Sequence, residues 1–496
     1  MGKIVKQSLL TTLSSYIGVV IGYINLLWIL PYALSPSQIG AFKTIQDMAL
    51  LLVPFAQLGL GHGITRFYPQ NKKNPFAFFS LTLAFCSIGF GIVAILFLLF
   101  KKDIIQAYSS NSPEIINFLG VVLFITFFAV LNSILDAFAR SFIKIAVPAF
   151  LREVILRLLI TILVSSYMFG WLGFDQMMWG LAAIYFLTLL GMILYMLHIG
   201  IFILDLNWKV FSFDVKKEYL SYSLITLLGT AGSILIMKID SLMVASMIGL
   251  EANAIYAIGF SIAVVIEMPR RAISQVVMPI IAEKFTLNQP DEINDLYKKV
   301  AINQSISCIF IFLAIWTNID NLYHFVPNGT IYEAGKWVVL LIGLGKLSDV
   351  IFSVNGEIIV LSKFYIFNIT STLLMSVMVV VLNLLMIPIW GIEGAALASF
   401  ISMFFYNLIK YLYVKKRLGF DPFTLDIAKI LFLGGLFSFF DYFLLPQFNP
   451  VILDIVFRLA LLSLFYISGI LTMNIASDSK KMIIDKFMDW KNGATG

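Results

Sequence analysis

The chain has 496 residues, 60% of them hydrophobic and only 12% charged, with a formal net charge of +6. A soluble domain carries about 25% charged residues, so too little polar surface exists here to clothe a globule of this length. Composition excludes a soluble enzyme, a disordered chain, a nucleic-acid binder and a disulfide-stapled secreted scaffold, and predicts a polytopic α-helical membrane protein.

Taken in chain order, long apolar runs broken by charge, Pro and Gly give fourteen spans, near 9–34, 39–64, 76–100, 114–138, 145–170, 177–203, 219–246, 252–270, 299–320, 335–361, 364–388, 392–414, 427–445 and 452–474. The first follows Lys3 and Lys6 and runs to Leu34 without a small-residue cleavage site, so it reads as a retained helix. The longest loop, about 271–298, holds Asn288-Gln289-Pro290-Asp291-Glu292, a helix start with Pro and acids in the first turn. Beyond the last span, Met482, Ile483, Phe487 and Trp490 oppose Lys480, Lys481, Lys486 and Lys491. That stretch reads as an amphipathic helix on the inner leaflet, or as a frayed tail. Cys86 and Cys308 fall in apolar runs and read as inert buried thiols. His62, His198 and His324 are too scattered to bind a metal, and neither metal nor cofactor is expected.

Orientation follows from Lys and Arg. With the N-terminus inside, 26 of the 34 basic residues fall on inside segments, three (Lys101, Lys102 and Lys336) fall outside, and five lie within spans. Both termini are therefore predicted to be cytoplasmic. One missed or invented span would scramble this bias, so it also tests the count of fourteen.

A weak internal repeat is visible. Leu34-Ser35-Pro36-Ser37-Gln38-Ile39-Gly40-Ala41-Phe42 joins spans one and two, and Ile248-Gly249-Leu250-Glu251-Ala252-Asn253-Ala254-Ile255-Tyr256 joins spans seven and eight. Each is a tight external turn followed by a small residue and an aromatic. The reading is two pseudo-symmetric six-helix bundles, 1–210 and 211–418, then two extra transmembrane helices over 419–477 and a cytoplasmic tail over 478–496. Repeats of this kind build transporters whose substrate site lies between the halves. Gly18 with Gly22, and Gly394 with Ala398, have the small-x-x-x-small spacing that lets helices approach closely in lipid.

Charges within the spans are the candidate functional groups, because an ionised side chain in mid-membrane costs about 2.5–3.5 kcal/mol even on lenient scales. Lys43 and Asp47, and Glu153 and Arg157, are each four apart on one helix face and read either as internal ion pairs or as site groups. Glu153, Asp441, Asp454 and Arg458 sit close enough to span ends to be interfacial. Lys238 and Asp240 project about 200° apart on a helix and cannot pair with each other, so at least one needs a partner on another helix or in a cavity. Span eight carries Glu267 before Arg270 and Arg271, and span ten carries Lys346, Asp349 and Glu357.

Three stretches carry a resemblance. They are Asn383-Leu384-Leu385-Met386-Ile387-Pro388-Ile389-Trp390-Gly391-Ile392-Glu393-Gly394-Ala395-Ala396-Leu397-Ala398-Ser399; Met278-Pro279-Ile280-Ile281-Ala282-Glu283-Lys284 with Asp291 to Lys299; and Gln57-Leu58-Gly59-Leu60-Gly61 followed by Arg66-Phe67-Tyr68-Pro69. In order and spacing they resemble the multidrug/oligosaccharidyl-lipid/polysaccharide exporter superfamily, and within it the O-antigen-type polysaccharide-biosynthesis flippases. The resemblance implies two V-shaped lobes, alternating access in a bacterial plasma membrane, and a lipid-linked oligosaccharide as cargo. Glycosyltransferases and a polymerase of the same pathway are the implied partners, beside membrane lipid.

A pyrophosphate headgroup would be met by cations, for which the candidates are Lys43, Arg66, Lys238 and Lys346, then Arg157 and Arg270. Asp47, Asp240, Glu267 and Asp349 are the candidates for ion coupling or sugar contact. Alternatives are a drug–cation antiporter of the same superfamily, a lipid II flippase, and a non-transporting scaffold for glycan synthesis. The antiporter is disfavoured because span one has no Asp or Glu. No nucleophile–base pair, Walker loop or metal motif is present, so no enzyme is expected.

Overall fold

The computed structural model describes residues 2–446 and 448–476; the expected amphipathic tail helix at 478–491 lies outside the described residues. Among the described residues all regular structure is helical. The principal helices are α1 (Gly2–Ile24, prolonged by a π-helical turn Asn25–Ile29 and by Leu30–Ala33), α2 (Pro36–Gln57), α3 (Pro75–Leu99), α4 (Lys101–Ser109), α5 (Leu119–Ser141), α6 (Leu156–Met168), α7 (Phe174–His198) and α8 (Phe213–Met247). They continue as α9 (Leu250–Val264), α10 (Met268–Thr286), α11 (Pro290–Trp316), α12 (Lys336–Ile351), α13 (Asn355–Leu361), α14 (Tyr365–Leu418), α15 (Leu425–Leu444) and α16 (Val451–Thr472).

Helix starts follow local chemistry. Ser35 caps α2 by accepting from the Gln38 N–H, while the Gln38 side chain accepts from the Ser35 N–H, with Pro36 at the first helical position. Helix α11 opens on Pro290 with Asp291 and Glu292 in its first turn, as its sequence predicts, because acids favour the positive end of the helix dipole.

Among the described residues, eleven helices are long and apolar enough to cross a membrane, or twelve if Gly329–Ile351 and Asn355–Leu361, bent by 49° at the break between α12 and α13, form one broken span. Fourteen were expected, and two features account for the difference. The 54-residue α14 contains Gly391 at φ 58° and ψ −134°, so two expected spans run together as one helix across a kink. The expected fifth span is helical over Ala146–Phe150, Leu151–Ile155 and Leu156–Met168, but Arg152, Glu153 and Arg157 interrupt its apolar character.

Packing divides the chain into two compact units. Among the described residues, the first holds 2–258, 326–332 and 372–395; the second holds 259–325, 333–371, 396–446 and 448–476. Helix α8, which follows residue 210 in chain order, packs along α2 within the first unit. In the first unit α2 is central, against α3, α5 and α8. Phe79 stacks on Phe138 with centroids 4.3 Å apart, inside a cluster with Phe67, Phe78 and Tyr219. Hydrophobicity cannot drive such packing in lipid, so close approach of small residues does. Gly18 shows it: a Cβ there would lie 2.5 Å from the Glu153 carbonyl oxygen. In the second unit α11 is central, against α10, α12 and α15, and Tyr297, Val354, Ile358 and Val414 join a buried cluster.

Candidate functional site

The intramembrane charges gather in separate clusters. In the first unit, α2 presents Lys43, Thr44 and Asp47, and α8 presents Lys238, Asp240 and Ser241. Lys238 Nζ donates to Asp47 Oδ1 at 2.6 Å, with the Asp47 side chain 5% exposed and that of Lys238 23%. Asp47 is thus taken by a cation on another helix, and the alternative of an internal Lys43–Asp47 pair is not what forms. Lys43 is half-buried and feels Asp47 electrostatically, yet makes no ion pair or hydrogen bond among the described residues. Two cations and one carboxylate leave this cluster with a surplus positive charge.

Neutral groups complete it. Ser241 Oγ lies 2.9 Å from Asp47 Oδ2 and 2.9 Å from Asn253 Oδ1. It has one proton, which serves the charged oxygen. Asn253 Nδ2 donates to Thr44 Oγ1 at 2.8 Å. Asp240 points the other way, as the 200° separation predicts. It is 2% exposed and accepts from Tyr256 Oη at 2.7 Å and Asn383 Nδ2 at 2.6 Å. A buried carboxylate is tolerable only when such donors replace its water.

The second unit holds a larger network. Glu267 is ringed by Lys346 at 2.9 Å, Arg271 at 3.4 Å and Arg270 at 3.7 Å. Arg270 spans the break between α12 and α13: it donates to the carbonyl oxygens of Asp349 and Ser353, both at 3.2 Å, and lies 3.5 Å from Glu357 on α13. Tyr297 and Gln304 donate to the Phe352 and Val350 carbonyls of the same break. Asn407 donates to the Asp349 carboxylate.

The remaining candidates are placed differently. Arg157 pairs with Glu153 at 3.2 Å. Glu153 lies within the π-helical turn Leu151–Ile155, and Asn25, the first residue of the π-helical turn Asn25–Ile29, donates through Nδ2 to the Arg157 carbonyl at 3.0 Å. Arg66 is exposed and rests over the Tyr222 ring at 4.4 Å. Arg458, Asp454 and Asp441 form an ion network near the facing ends of α15 and α16, with Arg458 and Asp454 buried and Asp441 half-buried. Arg458 reaches Asp441 at 2.5 Å and Asp454 at 2.8 Å, and Asn321 donates to Asp454 at 2.6 Å.

The structure therefore brings together Lys43, Asp47 and Lys238 in one cluster and Glu267, Arg270, Lys346 and Asp349 in another. Sequence reasoning missed Ser241, Asn253, Asn383, Asn407 and Tyr256. Their signal was available, since Asn inside an apolar helix usually serves as polar glue, but it names no partner.

Comparisons with known proteins fit this architecture. No curated protein matches the chain by sequence. Among solved structures, the lipid II flippase MurJ in an inward closed conformation superposes with a TM-score of 0.71 at 15% identity, covering 95% of this chain and 99% of that one. An inward-facing multidrug resistance MATE family transporter of the MOP superfamily gives 0.60 at 15% identity, over 83% of this chain and 94% of that one. A MOP superfamily transporter from Pyrococcus furiosus gives 0.59 at 14% identity, over 84% and 95%. These likenesses show a shared fold. The family model described as "Polysaccharide biosynthesis protein" matches residues 4–285, more than half of the chain. This membrane protein, built on the fold of the MOP superfamily, therefore belongs to the polysaccharide biosynthesis protein family.

Proposed function

We propose that this protein is a flippase that moves a lipid-linked, phosphate-bearing oligosaccharide across the plasma membrane. The observation that carries the reading is the surplus cation in the α2–α8 cluster, where Lys43 stands beside the Asp47–Lys238 pair without a partner among the described residues. A cation left without a counter-charge in an apolar helix bundle is costly, and a phosphate is the group that offsets it. It would engage Lys43 and compete with Asp47 for Lys238, while Arg66 takes the headgroup nearer the cytoplasm. Lys346, Arg157 and Arg270 serve the ionic frames of their own helices, since each already faces a carboxylate.

Asp240 suits coupling to a proton or cation. It is buried, and Tyr256 and Asn383 donate to it. Glu267 and Asp349 are the corresponding carboxylates of the second unit. Both termini are placed in the cytoplasm by the distribution of Lys and Arg. A surplus positive site repels a cationic drug, and α1 has no acid to receive one.

The test is Lys43→Ala and Lys238→Ala in cells that depend on this chain for a surface glycan. We expect surface polymer to be lost and lipid-linked glycan to accumulate on the cytosolic leaflet, with the protein at normal abundance in the membrane. Wild-type surface polymer in both variants would sink the reading. Arrested peptidoglycan synthesis with intact surface polymer would reassign the cargo to lipid II.

A further inference from the structure

The first unit also contains a set of contacts that the cluster above does not use, all at the end of the molecule that the basic-residue count places outside. The last-turn carbonyls of a helix have no intrahelical partner. At the end of α8 two of them are capped by the chain between α3 and α5: Ser112 Oγ donates to the Ala245 carbonyl at 2.6 Å, and Asn111 Nδ2 to that of Ser246 at 2.9 Å. Tyr108 Oη adds a bond to the Leu242 carbonyl at 3.2 Å. Ser112 is fully buried. At the end of α1, Asn328 Nδ2 donates to the Pro31 carbonyl at 3.0 Å, again a last-turn carbonyl, here of Leu30–Ala33.

In the terms of the internal repeat these are one contact made twice. The segment after the third span of the first repeat caps the first helix of the second repeat. Asn328, after the third span of the second repeat, caps the first helix of the first. The turns that mark the repeat meet as well. A Cβ on Gly40 would lie 1.9 Å from the Leu250 carbonyl oxygen, so the starts of α2 and α9 touch backbone to backbone. Beneath that contact begins the cluster described above, with its fully buried Thr44–Asn253 hydrogen bond.

We infer that these contacts form a reciprocal clasp that holds the outer gate shut, and that opening requires both caps to release. Side chains on loops suit a latch because their bonds to orphan carbonyls can be exchanged for bonds to water. The helix ladders themselves need not break. The clasp concerns how the chain opens, whatever it carries.

The measurement is thiol labelling of the purified chain in nanodiscs. Thr44→Cys becomes the single thiol once Cys86 and Cys308 are replaced by alanine. Thr44 is sealed beneath the clasp, so labelling reports opening. Asn111→Ala with Ser112→Ala removes two bonds and is expected to raise the labelling rate about tenfold, taking roughly 0.5–1.5 kcal/mol for each net bond. Asn328→Ala, at an exposed position on the other side of the repeat, is expected to raise it about threefold, by the same reasoning for one bond. Thr126→Val removes a hydroxyl that bonds the Val122 carbonyl of its own helix at 2.8 Å and reaches the Ala49 carbonyl of α2 at 3.2 Å, away from the clasp, and should leave the rate at the parent value. Unchanged labelling in either clasp variant overturns the inference. So does equal acceleration by Thr126→Val, which would mean general loosening.

Discussion

Asp47 shows what one side chain decides in a bundle of this kind. Its carboxylate is the counter-charge for Lys238 and accepts from Ser241, so it holds α2 against α8. Removing one partner of a buried pair leaves the other uncompensated, at about 3–5 kcal/mol where burial is complete. Lys238 is partly exposed and can find water, so Asp47→Asn should cost about 2 kcal/mol on the same scale. That is a fall of several degrees in the unfolding midpoint in detergent, recovered in part by Asp47→Asn with Lys238→Met. An unchanged midpoint in Asp47→Asn would remove the pair from the account. Arg458 is the stricter case, since its side chain is 7% exposed and serves two carboxylates. Arg458→Ala should cost the full 3–5 kcal/mol, and the triple variant Asp441→Asn, Asp454→Asn and Arg458→Met should be more stable than the single one in the same melt. A milder loss in the single variant would show that water reaches those carboxylates.

At the scale of elements, the breaks carry the interest. The half-helix α12 ends on carbonyls that face Arg270 of α10 and Tyr297 and Gln304 of α11, so its end is built from two other helices and no local sequence signal marks it. The kink in α14 falls on Gly391, whose φ/ψ pair a residue with a Cβ adopts only at a cost. The C-terminal end of α14 gives a pH-dependent feature outside the membrane. Burial tends to raise the Asp421 carboxyl, but the bond from Lys415 at 2.7 Å and the Phe423 N–H hold it below the ordinary 3.8. A depressed carboxyl stabilises the fold above its unfolded value, and that stabilisation is lost as pH falls through the folded one. The turn over 419–424 should therefore keep its amide-exchange protection at pH 6 and lose it below about pH 4, near the unperturbed Asp value. Equal protection at both would show that the ion pair does not order the turn.

For the whole molecule, orientation is the first property to check. Lys102→Cys, on an exposed helix between the third and fourth spans, should react with an impermeant maleimide in intact cells; Lys416→Cys, exposed at the end of α14, should react only after permeabilisation. The reverse pattern would invert the topology, and with it the face on which the clasp lies.

Much of the architecture was already legible in the residues. The helical class, the order of the spans, the opposed directions of Lys238 and Asp240, and the paired turns around Gly40 and Leu250 follow from apolarity, helical period and glycine chemistry, all of which act over a few neighbouring residues. Span boundaries blurred where these local signals conflict, as at the charged stretch Arg152–Arg157 and across Gly391. The tertiary structure decided the rest. It gave Asp47 to Lys238 rather than to Lys43, paired Arg458 with its two acids, enlisted Ser241, Asn253 and Asn407, and set the 108–112 segment on the end of α8. Those outcomes depend on which helix faces come together, and a charge four residues from another cannot reveal the stronger partner 191 positions away.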